Sequence, residues 1–111
     1  MEDRTLEIIK HFGVKNQLKK LNEEAYEFIE AVNDYEEQKC IAVASPVEAK
    51  KLPEYRAHVV EEMTDVAFLL EQFALLYKIE NAEIQDEKYN KLVRTLKRIQ
   101  TGYYEEAEND N

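Results

Sequence analysis

Four acidic residues in this chain are spaced for metal chemistry. Glu24 and Glu27 stand three apart in the run LNEEAYEFIEAV, and Glu62 and Asp65 stand three apart in VEEMTDVAFLL. Residues three apart on a helix lie on one side, about one turn from each other. Each pair therefore makes a two-carboxylate claw. Two claws brought together offer four hard oxygen ligands, which suits Mg²⁺ or Mn²⁺. Without a cation the same four groups would repel one another or take up protons. The histidines do not turn this pattern into a di-iron site. Such bundles use Glu-x-x-His, whereas His11 follows Ile8 and His58 follows Tyr55 at that offset.

The elements that must hold these acids are helices. A short one is predicted over residues 2–12, with Leu6, Ile9 and Phe12 on its apolar side and Gly13 ending it. Over 14–37, the residues Val14, Leu18, Leu21, Ala25, Phe28, Val32 and Tyr35 alternate steps of four and three, the signature of a long amphipathic helix. The pattern breaks over 38–53. There Ser45-Pro46-Val47-Glu48 supplies a cap, a first-turn proline and an acid three after the cap, so a single helical turn is expected. Pro53 opens a third long helix, about 54–78, and Asn81 is placed to cap a fourth over 82–101 that Gly102 ends. The fold class is all-α: a bundle of three long helices with shorter accessory ones. It forms one domain over 1–104, followed by an acidic tail at 105–111.

Helical phasing at about 100° per residue sorts the acids. With the stripe of the second helix centred on Leu21, Ala25 and Phe28, Glu24 borders the core, Glu27 lies one step further round, and Glu23 and Glu30 face away. With the third helix centred on Met63 and Leu70, Glu62 borders the core, Asp65 lies beyond it and Glu61 points away. The two carboxylate pairs thus run along the margins of two buried faces. Residues 66–77, VAFLLEQFALLY, leave only Glu71 and Gln72 polar. A helix apolar nearly all round must be covered on more than one side, which predicts a subunit contact.

Composition narrows the function. The chain has 111 residues, 2 Gly, 2 Pro, 35% charged residues and a net charge of −9. That charge disfavours nonspecific binding to nucleic acid or to an anionic membrane. No stretch approaches the roughly 20 apolar residues of a membrane span, and the N-terminal residues lack a signal core. The single cysteine, Cys40, excludes an internal disulfide and is expected semi-buried near a helix end. The location expected is cytoplasmic. His58 is expected to be partly buried, and His11 to sit at a helix end. Against this acidic background, Lys88, Lys91, Arg94 and Arg98 form one basic stripe on the fourth helix. A metal with Lys and Arg beside it is how proteins hold a polyphosphate.

The runs FGVKNQLKKLNEEAYEFIEAV, VVEEMTDVAFLL and KLVRTLKRIQTGYY resemble the MazG-like all-α nucleoside triphosphate pyrophosphohydrolases, a group related to dimeric dUTPases, dCTPases and phosphoribosyl-ATP pyrophosphohydrolase. Glu24, Glu27, Glu62 and Asp65 match that group's E-x-x-E and E-x-x-D helices, and the likeness spans residues 12–104. The connection over 38–53 is longer than in the most compact members. The resemblance implies Mg²⁺ (or Mn²⁺) held by the four acids, assembly into homodimers or homotetramers, and conversion of a nucleoside triphosphate to monophosphate and pyrophosphate. It also places Lys91, Arg94 and Arg98 toward the phosphates. On that reading Glu23 orients the attacking water, while Gln17 and Lys20, on the flank of Glu24, reach the base or phosphates. The competing reading is a noncatalytic helical dimerisation module, or a nucleotide-binding regulator without turnover.

Overall fold

The computed structural model describes residues 2–102; the tail expected at 105–111 lies outside them. The described residues form helices and short connections, without a strand. The elements are α1 Glu2–Phe12, α2 Val14–Ala42, α3 Pro46–Ala49, α4 Leu52–Leu76 and α5 Asn81–Thr101. No helix among them is long and apolar enough to cross a membrane. The chain divides into two compact units, Met1–Tyr77 and Lys78–Asn111.

In the first unit α2 packs chiefly on α4, with α1 resting on both and α3 against α2. Early residues of α2 meet late residues of α4: the Gln17 side chain bonds that of Gln72, and Glu24 lies beside Glu62 and Asp65. The two helices therefore run antiparallel. Ile9 of α1 is fully buried where that helix rests on the pair. Gly13 alone separates α1 from α2, at φ 89°, a conformation that side chains with a Cβ rarely adopt. Its amide donates to Ile9 O at 2.8 Å, and Asn16 Nδ2 donates to Phe12 O at 2.7 Å, so the end of α1 is satisfied as α2 begins.

The second helix runs five residues past the expected end at 37, and the cause is tertiary. Gln38 is buried, and its Nε2 donates to both Glu48 O and Glu48 Oε2 at 2.9 Å. That bond ties the last turns of α2 to α3. The single turn itself forms as its residues dictate, with Ser45 Oγ accepting from Glu48 N at 3.3 Å and Pro46 in the first position. The Gln38 amide, and then Lys51, hold the Glu48 carboxyl below its ordinary range. Cys40, expected semi-buried, is exposed.

The phasing of both long helices differs from expectation. On α2 the buried residues are Gln17, Glu24, Ala31 and Gln38, a strict seven-residue repeat. Leu21, Ala25 and Phe28 flank them half-buried. The inward face is rotated by roughly half a residue toward Glu24. On α4 the buried residues are Glu62, Leu69 and Gln72, whereas Met63 and Leu70 are 52% and 53% exposed. That helix is rotated by nearly a whole residue. The reason is that hydrophobic periodicity counts acids and amides as outward, while here they form the seam between the helices. The displaced apolar residues Met63 and Leu70 are left open on this chain.

In the second unit α5 starts on a capping box. Glu80 is the cap: its backbone carbonyl accepts from Glu83 N at 3.0 Å, while Glu83 Oε2 accepts from Glu80 N at 2.8 Å. Asn81, the cap expected from sequence, is instead the first helical residue. Gly102 ends the helix at φ 77° as expected.

Candidate metal centre

The rotation of α2 and α4 carries the acids inward. Glu24 is 8% exposed and Glu62 6%. One carboxylate oxygen from each of Glu24, Glu62 and Asp65 lies within 4.8 Å of the others. Octahedral Mg²⁺ holds adjacent oxygens about 3 Å apart and opposite ones about 4.2 Å apart. Small side-chain rotations would bring these three onto one ion.

Each buried acid has one oxygen near a basic side chain and one with no partner. Glu24 Oε1 lies 3.4 Å from Lys20 Nζ, and Glu62 Oε1 lies 3.9 Å from His58 Nδ1. Glu24 Oε2 and Glu62 Oε2 are buried with no hydrogen-bond partner. An unsatisfied buried carboxylate oxygen is costly, and two on facing helices are what a shared cation would satisfy. Burial, and then the negative charges of Glu27, Asp65 and Glu24, push the Glu62 carboxyl above its ordinary range. Glu27 is exposed, yet after burial it is the strongest influence on Glu62. The fourth acid therefore stands at the edge of the cluster while the other three supply the converging atoms. His58, expected partly buried, is 54% exposed at its side chain. His11 does sit at a helix end, its ring edge-on to Phe12 with centroids 4.8 Å apart.

A cleft of about 280 Å³ adjoins the cluster, lined by the charged residues Lys20, Glu24 and Asp65 and by Ile8, Phe68, Leu69 and Gln72. Gln17 is buried rather than lying open on the flank of Glu24, and it is bonded to Gln72. Glu23 is exposed, on the same flank of α2 as Glu27 by helical arithmetic. Lys88, Lys91, Arg94 and Arg98 all lie on α5, in the second unit, where Arg94 Nε donates to Asn90 O at 3.4 Å. Gln72 is the residue that pattern reading passed over. Its signal was present: an uncharged polar side chain inside the otherwise apolar run 66–77. Comparison of the chain with protein-family models, with curated proteins and with solved structures returned no match.

Proposed function

We propose that the chain is a metal-dependent nucleoside triphosphate pyrophosphohydrolase of the MazG-like kind, cleaving a (d)NTP to (d)NMP and pyrophosphate. The observation that carries the reading is the trio of convergent carboxylate oxygens, two of them on nearly buried side chains that each keep an orphan oxygen. Glu24, Glu62 and Asp65 would hold the ion, with Glu27 beside Glu62 as the fourth acid. A divalent cation bound there supplies an activated water and offsets the charge that develops during phosphoryl transfer. Lys20, which lines the same cleft, would donate to a phosphate oxygen. Glu23, on the open flank of α2, is assigned the orientation of the attacking water.

The test is a panel of the common dNTPs and NTPs with Mg²⁺ or Mn²⁺, read for pyrophosphate and for orthophosphate separately. At least one triphosphate should yield monophosphate plus pyrophosphate. Stepwise orthophosphate would assign the protein to another class of hydrolase, and silence across the panel would favour a noncatalytic helical module.

The reading includes assembly. Met63 and Leu70 are exposed on one side of α4, with exposed Tyr77 just past its end, and an apolar surface of that kind marks a contact. A second copy of the chain is the occupant we assign to it. Light scattering at micromolar concentration should give a multiple of the 13.1 kDa chain mass; a monomer mass would refute the assembly.

A further inference from the structure

Of the buried polar side chains in the first unit, three have their reasons above. Glu24 and Glu62 form the acid cluster, and Gln38 anchors α3. Gln17 and Gln72 remain. Gln72 is only 1% exposed, the most deeply buried polar side chain among the described residues. A carboxamide carries two N–H donors and an acceptor oxygen, yet Gln72 makes a single hydrogen bond: its Oε1 accepts from Gln17 Nε2 at 2.8 Å. That bond turns the oxygen of Gln72 toward Gln17 and orients the amide. The two donors of Gln72 Nε2 remain unspent on a residue that lines the cleft beside the acids.

The rest of the cleft says what those donors are for. Lys20, Glu24 and Asp65 are the charged groups that phosphate chemistry needs. The other walls are the Phe68 ring and the aliphatic side chains of Ile8 and Leu69, with Gln72, about two turns along α4 from Asp65, as the uncharged polar group. A ribose would require several hydrogen-bonding partners, and an aliphatic ligand would leave the Gln72 donors unpaired in a dry site. A flat heterocycle with an acceptor on its edge satisfies both: its faces meet aromatic and aliphatic carbon, and its edge takes the amide. The volume of about 280 Å³ is at the small end of ligand sites, enough for one such ring.

We propose that this cleft is the nucleobase subsite, and that the Gln72 carboxamide, held in orientation by Gln17, reads the base edge as a hydrogen-bond donor. The inference rests on the reading of the adjacent acids as a phosphate-side metal centre. Bases presenting a carbonyl oxygen or unprotonated ring nitrogen to Gln72 are preferred over those presenting an N–H.

Two measurements test it. In the first, kcat/KM is compared across the triphosphate panel for wild type, Gln72→Glu and Gln72→Leu. Gln72→Glu keeps the shape and the bond from Gln17 but replaces the donor by an acceptor. The ratio of best to poorest base should fall by about tenfold or more, as expected for one buried hydrogen bond lost or made repulsive. The change should sit mainly in KM, because a base contact is present before and during the reaction. An unaltered ratio in both variants, with wild type active, overturns the base assignment and leaves the hydrolase reading intact. The second measurement needs no variant. Nucleosides, lacking phosphate, are titrated in EDTA into ¹⁵N-labelled wild type, and the Gln72 side-chain amide signals are followed. They should shift with at least one nucleoside at millimolar concentration. Shifts without turnover of any triphosphate would retain the base subsite and discard the hydrolase; absence of shifts overturns the subsite whatever the variants do.

Discussion

Glu24→Gln, Glu62→Gln and Asp65→Asn are each expected to lower pyrophosphate release by about 10²–10³-fold while the helices stay folded. Each supplies one of the converging oxygens. Loss of a ligand costs several kcal/mol of the charge stabilisation that a bound cation lends to phosphoryl transfer, and each 1.4 kcal/mol or so is tenfold in rate. Folding should survive, because an amide in place of Glu24 or Glu62 removes a buried charge that has an unpartnered oxygen. Glu27→Gln should cost less than any of the three, since Glu27 is exposed and acts on the site through Glu62. Glu30→Gln is the control. Its carboxylate hydrogen-bonds the Tyr26 hydroxyl on the opposite flank, a role a glutamine oxygen can keep. Steady-state rates with circular dichroism on all five variants decide the matter. Loss of activity in Glu30→Gln as deep as in Glu24→Gln would mean the helical phasing found here is not that of the working protein.

What could be read from sequence was the part set by local chemistry. Gly13, Gly102, Ser45-Pro46 and Pro53 mark helix boundaries because they act through their own backbone, with no help from distant residues. The features that escaped depend on which side chains find each other, some a few residues apart and some far along the chain. The second helix continues to Ala42 because Gln38 finds Glu48 across the turn, and no local rule records that. Glu80 displaced Asn81 as the cap of α5, with the Glu83 carboxylate accepting from the Glu80 amide. The largest miss, the rotation of α2 and α4, has a single cause. Hydrophobic periodicity puts Glu24 and Glu62 only at the margins of the buried faces and gives Gln17 and Gln72 no inward place, whereas all four are buried in the seam. The acid pairs were still recoverable, because spacing survives an error in phase. Their burial, and the bond between Gln17 and Gln72, were not, because those depend on which helix each face meets.

The burial of the acids ties the site to stability. A ligand that binds only the folded state stabilises it by about 2.7 kcal/mol at a hundredfold excess over its Kd, on the order of 10 °C in melting temperature for a chain of this size. Millimolar Mg²⁺ or Mn²⁺ should therefore raise the melting temperature at fixed protein concentration, and NaCl at matched ionic strength should do less. The pH dependence has a definite sign. Glu62 meets Glu24 and Glu27 from α2 and Asp65 and His58 from its own helix. Burial first, then the neighbouring carboxylates, raise its carboxyl above the ordinary glutamate value of 4.5. A raised folded value means that the native state holds this proton more tightly than the unfolded chain does. Its contribution is complete below about pH 4.5 and is lost as pH rises through the raised value. In EDTA the melting temperature should accordingly decline over that interval. The metal competes with the proton for the same oxygens, so the rise it confers should be larger at pH 7 than at pH 5. Glu24→Gln/Glu62→Gln removes both buried charges. That double variant should melt higher than wild type in EDTA, show a flatter pH response and gain little from metal. Calorimetry on the two proteins at both pH values, with and without Mg²⁺, checks each expectation. A double variant that gains as much from metal as wild type would show that the cation binds somewhere other than between α2 and α4.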